Sequence, residues 1–502
     1  VSASNADSLI NHLPTELLTW ILQFAVLLGP RTSLQSKTLY DWGGLEYYEE
    51  LSLIRRVCQK WQAIVETNPS FWIYISTSLP PRLFNKVAEC ATGSRSLFVG
   101  YSIDSLWGGE KLLRAYLSVM LGLSESWTSV HVQWSSPSEL LQVLEQHCPR
   151  LRKLHVDYCG TVGTFEGLEE GCRTVPSPLE ILEVKGSIFP WKWGAITDLR
   201  ELDVECYDSC PYFSQGFINV LRSSPRLESL GLRFYDIDFQ PQLQSSTITL
   251  QRLASIKIMD SPQAAGLLDA ITCPPSTKIT IRDRFRSLTT QNPWVAAAFN
   301  HTNFECTERV CVNLYPSSLV RAVIGNIDLD MWCEDEPYQP AEMIQFFTNF
   351  FKPFSETNGV QVTTLELHLD LECDAAPLIN ILESFFPNIT SLEVHCVFYN
   401  FVSSGLFDAL ANPIEENGER RWLLPRIEKI AFDFGDGHLA KSATEPGVGS
   451  PPPTPLRELH IRNCAMLTSD AEELKHILGD AVKFEGVGFR NPVDEPPTQA
   501  TN

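Results

Sequence analysis

Residues 151–159 read LRKLHVDYC, 179–185 read LEILEVK, 199–206 read LRELDVEC and 227–234 read LESLGLRF. All four carry one phrase, with aliphatic residues at the first, fourth and sixth positions. The fourth and sixth alternate with polar residues, as a half-buried strand requires, because successive strand side chains point to opposite faces. Working outward, the phrase recurs at Trp127-Val130-Val132, Leu253-Ile256-Ile258, Val362-Leu365-Leu367, Ile389-Leu392-Val394, Ile427-Ile430-Phe432 and Leu456-Leu459-Ile461. Its centre steps from 130 to 154, 182, 202, 230 and 256, so one unit takes 20 to 28 residues. Apolar helical segments precede several copies: LLQVLEQHCP at 140–149, FINVLRSSP at 217–225 and LINILESFFP at 378–387. Each unit therefore reads as strand, turn and helix.

That period and phrase match the leucine-rich repeat. The expected fold class is α/β: a curved solenoid with a parallel β-sheet on its concave face. Cys159 and Cys464 stand three residues beyond their strands. The repeat family turns a residue at that site inward onto backbone, which implies structural thiols. Residues 276–340 are weakly periodic, with strands expected at Lys278–Ile281, Arg309–Leu314 and Asn326–Leu329. Residues 442–455 (SATEPGVGSPPPTP) lack an apolar pattern and are rich in Pro and Gly, the composition of a flexible insertion. The tail 491–502 is expected to be disordered.

The amino-terminal stretch is different. LPTELLTWILQF at 13–24 puts Leu13, Leu17, Trp20, Ile21 and Phe24 at helical spacing, with Pro14 in the first turn. LSLIRRVCQKWQAIV at 51–65 predicts a second helix, lined by Leu53, Val57, Trp61 and Ile64 and stopped by Asn68-Pro69. In order, Leu13-Pro14-x-Glu16, Leu17, Ile21, Leu53, Val57-Cys58, Trp61, Pro69 and Trp72 resemble the F-box. With irregular repeats behind it, the chain resembles the large F-box families of basidiomycete fungi. The expected domains are an F-box-like helical domain at 9–76, with a long insertion at 27–50, and a repeat solenoid at 77–490. The resemblance implies docking onto a Skp-type adaptor, and through it a cullin, by Leu13, Pro14, Leu17, Ile21, Val57 and Trp61. The insertion, with Tyr40, Trp42, Tyr47 and Tyr48, departs from the family's short connection.

Composition narrows the function classes. The net charge is −22, which opposes binding to nucleic acid or to an anionic membrane. The longest apolar stretch, Leu17–Leu28, is too short for a bilayer span of about 20 residues. Fourteen scattered cysteines read as reduced thiols. The expected location is thus cytoplasmic and/or nuclear. Asp433-Phe434-Gly435 looks like a kinase magnesium motif but lies on a predicted repeat strand without the partner loops. His147, Cys148, His155 and Cys159 lack paired zinc-ligand spacing, and so does Cys206-x-x-x-Cys210. The acidic run Glu334-Asp335-Glu336 lacks a calcium loop's Gly and spacing. The reading is of a non-catalytic protein with no cofactor and no metal.

Two readings follow. One is the substrate-recognition subunit of an SCF-type cullin ubiquitin ligase. The other is a non-catalytic repeat scaffold whose F-box does not engage the ligase. In either, residues flanking the strand aliphatics form the target face. Glu183, Glu201, Asp203 and Glu205 would share a patch suited to a basic segment of a target protein, or form an ordinary solvated acidic face.

Overall fold

The computed structural model describes residues 9–27, 45–94, 96–102, 110–134, 148–158, 179–186, 189, 191, 196–206, 213–234, 247–260, 265–285, 309–315, 319–333, 362–369, 379, 382–396, 414–416, 419–421, 423–438 and 456–490. The insertion expected at 442–455, the tail 491–502 and Cys159 lie outside these. Two compact units divide the chain, Val1–Leu253 and Ala254–Asn502.

The first unit opens with a 3-10 turn, Leu9–His12, and three helices: α1 (Thr15–Leu27), α2 (Leu45–Arg55) and α3 (Gln59–Thr67). The single helix expected over 51–65 is in fact two. The N–H groups of Arg56 and Val57 turn back to the Leu53 and Ile54 carbonyls, and Cys58, with φ −160°, starts α3 afresh. Helix α2 also reaches back to Leu45, so Tyr47 and Tyr48 are core residues. The Tyr48 hydroxyl donates to the Tyr74 carbonyl at 2.6 Å, which ties the helices to the first strand. Trp72 is buried and its Nε1–H donates to the Val65 carbonyl at 2.9 Å.

The strands of this unit are β1 (Tyr74–Ser76), β2 (Leu97–Tyr101), β3 (Trp127–Trp134), β4 (Lys153–Tyr158), β5 (Ile181–Lys185), β6 (Glu201–Cys206), β7 (Ser229–Phe234) and the short β8 (Ile248–Thr249). Helices α4 (Pro81–Ala91), α5 (Glu110–Leu121) and α6 (Phe213–Arg222) lie between them in sequence. From β1 to β7 each strand pairs in parallel with the next. The register stacks like positions: Val130, Leu154, Leu182, Leu202 and Leu230 form one row, Val132, Val156, Val184, Val204 and Leu232 the next. Both rows are buried, as are Leu151, Leu179, Leu199 and Leu227 before them. Backbone bonding repeats with the sequence. The N–H groups of Glu180 and Ile181 share the Arg152 carbonyl, Arg200 and Glu201 share Glu180, and Glu228 and Ser229 share Arg200. This is the leucine-rich-repeat fold of the α/β class, with parallel strands stacked through aliphatic rows.

In the second unit are β9 (Ser255–Met259), α7 (Ala265–Ala270), β10 (Ile271–Thr272), β11 (Lys278–Phe285), β12 (Arg309–Tyr315), β13 (Leu319–Ile324), β14 (Ile327–Cys333), β15 (Thr364–Leu369), β16 (Ser391–Cys396), the hairpin β17 (Ile414–Glu416) and β18 (Glu419–Arg421), β19 (Lys429–His438), β20 (Glu458–Leu467), α8 (Thr468–Leu478), β21 (Val482–Glu485) and β22 (Gly488–Arg490). The repeat bonding returns here: Thr390 and Ser391 share the Thr363 carbonyl, Glu428 and Lys429 share Thr390, Arg457 and Glu458 share Glu428. The weakly periodic stretch departs from it. β12, β13 and β14 form an antiparallel meander, with β14 parallel to β11 and β12 parallel to β15. The sheet order is therefore β11-β14-β13-β12-β15. The expected strands at 278, 309 and 326 are present, and β13 is an additional strand that carries no repeat phrase.

Candidate functional site

Two surfaces carry the residues singled out from sequence. The first is α1. Leu18, Leu22 and Val26, at i, i+4 and i+8, form its buried stripe. The other apolar stripe is bare: Leu17 is 51% exposed, Trp20 66%, Ile21 41% and Phe24 60%. Leu53 on α2 is exposed as well. Of the expected adaptor residues, Leu17, Ile21 and Pro14 are thus exposed, and Leu13, Val57 and Trp61 are half-buried. Trp61 has an internal task, since its Nε1–H donates to the Asn11 side chain at 2.8 Å. Lys60 Nζ adds donors to the Asn11 and Leu13 carbonyls at 2.5 and 3.3 Å, pinning the 3-10 turn and the start of α1 to α3. Sequence reasoning placed Trp20 and Phe24 on the same helical face but left them out of the adaptor set. Their i+3 and i+7 spacing from Leu17 was the available signal.

The second surface is the polar face of β3 to β7. Glu183 lies opposite Asp203, Ile181 opposite Glu201 and Lys185 opposite Glu205, so the four predicted carboxylates do share adjacent strands. Glu183 and Glu205 form ion pairs, and Glu201 acts on the Arg200 guanidinium. Glu183 contacts Lys153 Nζ at 2.6 Å and His155 Nδ1 at 2.7 Å, and Glu205 contacts Arg233 at 3.3 Å. Burial raises the Glu183 carboxyl, but hydrogen bonds from His155 and Lys153 outweigh it and hold it down at about 2. Glu201 and Asp203 are exposed. Asp203 lies over Gly231, where a Cβ would stand 2.8 Å from its Oδ1. Beside the patch, His131 and His155 pack edge to face at 4.3 Å, with Asp157 close by. Burial first, then the charges of His155 and Lys185, hold His131 neutral down to about 3.

The second unit carries a pattern that sequence reasoning passed over. Glu366-Leu-His368, Glu393-Val-His395 and Glu458-Leu-His460 repeat one Glu-x-His pair on three strands. Alternation brings each Glu and His to the polar face while the residue between is buried.

No protein-family model matches the chain, and no curated protein matches it by sequence. Among solved structures, the leucine-rich repeat-containing protein LegL7 from Legionella pneumophila is similar at 14% identity, over 71% of this chain and 89% of that one, with a TM-score of 0.24. The leucine-rich repeat domain of APL1B is similar at 11% identity, over 82% of this chain and 92% of that one, with a TM-score of 0.25. Among the described residues, no helix is long and apolar enough to cross a membrane.

Proposed function

We propose that the chain is the substrate-recognition subunit of an SCF-type cullin ubiquitin ligase. Its helical segment docks on a Skp-type adaptor, and the polar face of its repeat strands holds a target protein. The observation that carries this reading is the bare stripe Leu17, Trp20, Ile21 and Phe24 on a helix whose opposite stripe already closes the local core. Contiguous exposed apolar surface of this kind belongs to binding faces. The ordered F-box-like residues from Leu13 to Trp72 say which partner to test. Catalysis in such a complex is proximity, because the ligase brings a charged ubiquitin-conjugating enzyme near a target lysine. This chain then supplies two docking surfaces and no reacting group.

The test is co-purification. Wild-type chain should retain adaptor and cullin, and the double variant Leu17→Asp/Ile21→Asp should retain neither while melting at the wild-type temperature. A wild-type chain that stays monomeric with added adaptor sinks the ligase reading and leaves the non-catalytic repeat scaffold.

A further inference from the structure

The strand register of the second unit gathers side chains from four strands that are far apart in sequence. Cys311 on β12 lies opposite Glu366 on β15. His368 on β15 lies opposite His395 on β16, which in turn faces Asp433 on β19. The two imidazoles are parallel, with centroids 4.1 Å apart and planes 2° from each other. Both direct Nε2 at one oxygen, Oε1 of Glu366, at 2.7 Å from His368 and 3.7 Å from His395. The Cys311 thiol, the Glu366 carboxylate and the His368 imidazole each offer a ligand atom within 4.8 Å of the other two.

We propose that Cys311, Glu366 and His368 form a binding site for a divalent transition metal, zinc foremost, and that His395, which shares Glu366 Oε1 with His368, moves in as the fourth donor. The donor set is the first reason. One thiolate, two imidazoles and one carboxylate oxygen suit zinc, whereas magnesium and calcium demand oxygen cages. Thiolate and carboxylate together also match a dication's charge. Spacing is the second reason. Metal–donor bonds of about 2.0–2.3 Å in a tetrahedron set donors roughly 3.3–3.8 Å apart. The His395–Glu366 separation of 3.7 Å already falls there. The His368–Glu366 contact of 2.7 Å needs to open by less than an ångström as the ion replaces their shared proton.

The outer contacts are the third reason. Arg309 holds the other Glu366 oxygen, Oε2, and so presents Oε1 to the histidines. Asp433 Oδ2 lies 3.5 Å from His395 Nδ1, the carboxylate–imidazole arrangement that leaves Nε2 as the ligand atom. His395 Nε2 itself is buried and makes no hydrogen bond, although oxygens of Glu393 and Glu366 lie at 3.3 and 3.7 Å. The rival donor group His131, His155 and Asp157 has no thiol, and its His155 Nδ1 is already engaged by Glu183 at 2.7 Å.

The experiment uses the full chain, stripped with a chelator and titrated with cobalt(II) under reducing conditions. A single equivalent should bind and give the thiolate-to-cobalt charge-transfer band with the visible bands of a tetrahedral ion, and zinc should displace it. Cys311→Ser should remove the charge-transfer band. His368→Asn and His395→Asn should weaken binding by more than 100-fold, and Asp433→Asn by about 10–100-fold, as loss of an outer partner does. Melting of each variant with chelator present should match that of the stripped wild type, which separates lost ligation from lost folding. Absence of the band in the wild type overturns the proposal. So does a band that survives Cys311→Ser, since the ion would then sit on another cysteine.

Discussion

Leu17 and Leu18 are chain neighbours on α1 with opposite fates, one half exposed and one fully buried. Leu18→Ala is predicted to cost about 2–5 kcal/mol, the usual range for truncating a buried leucine. Leu17→Asp is predicted to shift stability by no more than about 0.5 kcal/mol, as exposed substitutions do. Urea unfolding of the two variants measures the difference, and equal losses would place the bare stripe inside a core. His131 supports a second prediction at this scale. Its imidazole stays neutral in the folded chain down to about 3, against 6.5 when unfolded. The unfolded chain therefore takes up the proton first as pH falls. Stability from this group is complete above 6.5 and is lost as pH drops from 6.5 toward 3. His131→Gln should flatten the stability–pH curve in that window by up to about 1.4 kcal/mol per pH unit. An unchanged slope would refute the assignment.

At the scale of elements, repeat strands were legible because each carries its own aliphatic rows. Leu154, Leu182, Leu202 and Leu230 are buried in register as their spacing required. Strand β13 was not legible. LVRAVI at 319–324 contains no repeat phrase, and its place is set by a turn rather than by a period. That turn is two residues long, with Ile324 opposite Ile327 and Gly325 at φ +55°. Asn326 fixes it from outside, its Nδ2–H donating to the Thr277 carbonyl at 2.6 Å. Gly325→Ala is predicted to cost about 1–2 kcal/mol, the price of a left-handed backbone for a residue with a Cβ. A loss below a few tenths of a kcal/mol would mean the meander tolerates another turn. On α1 the periodicity singled out the 13, 17, 20, 21, 24 face but could not say whether that face was core or docking surface. The stripe that is buried is Leu18, Leu22 and Val26, which the spacing argument did not single out. The donors Cys311, Glu366, His368 and His395 escaped for another reason. They come from three strands, and only the register that sets β12 beside β15 brings the first of them to the rest.

For the whole molecule, a net charge of −22 makes two binding modes separable by salt. The proposed apolar docking through Leu17, Trp20, Ile21 and Phe24 would remove apolar area from water and be nearly indifferent to ionic strength. The proposed capture of a basic target segment by Glu183, Glu201, Asp203 and Glu205 would be Coulombic. It draws on the field of the acidic chain as well as on the patch. The Debye length shrinks from about 30 Å at 0.01 M salt to about 10 Å at 0.1 M, so exposed charges such as Glu201 and Asp203 are screened first. Glu183 and Glu205, held against Lys153, His155 and Arg233, present less net charge and matter less. The association rate of a basic target peptide should therefore fall at least tenfold over that range, while adaptor affinity changes less than twofold. Glu201→Lys with Asp203→Lys should abolish capture at low salt and leave adaptor binding intact. The same salt increase should raise the melting temperature, because screening relieves self-repulsion in a chain of this charge. Surface plasmon resonance on one preparation, with peptide and adaptor as separate analytes, reads both surfaces. Peptide capture that persists through the double reversal at low salt would show that recognition lies elsewhere on the repeat strands.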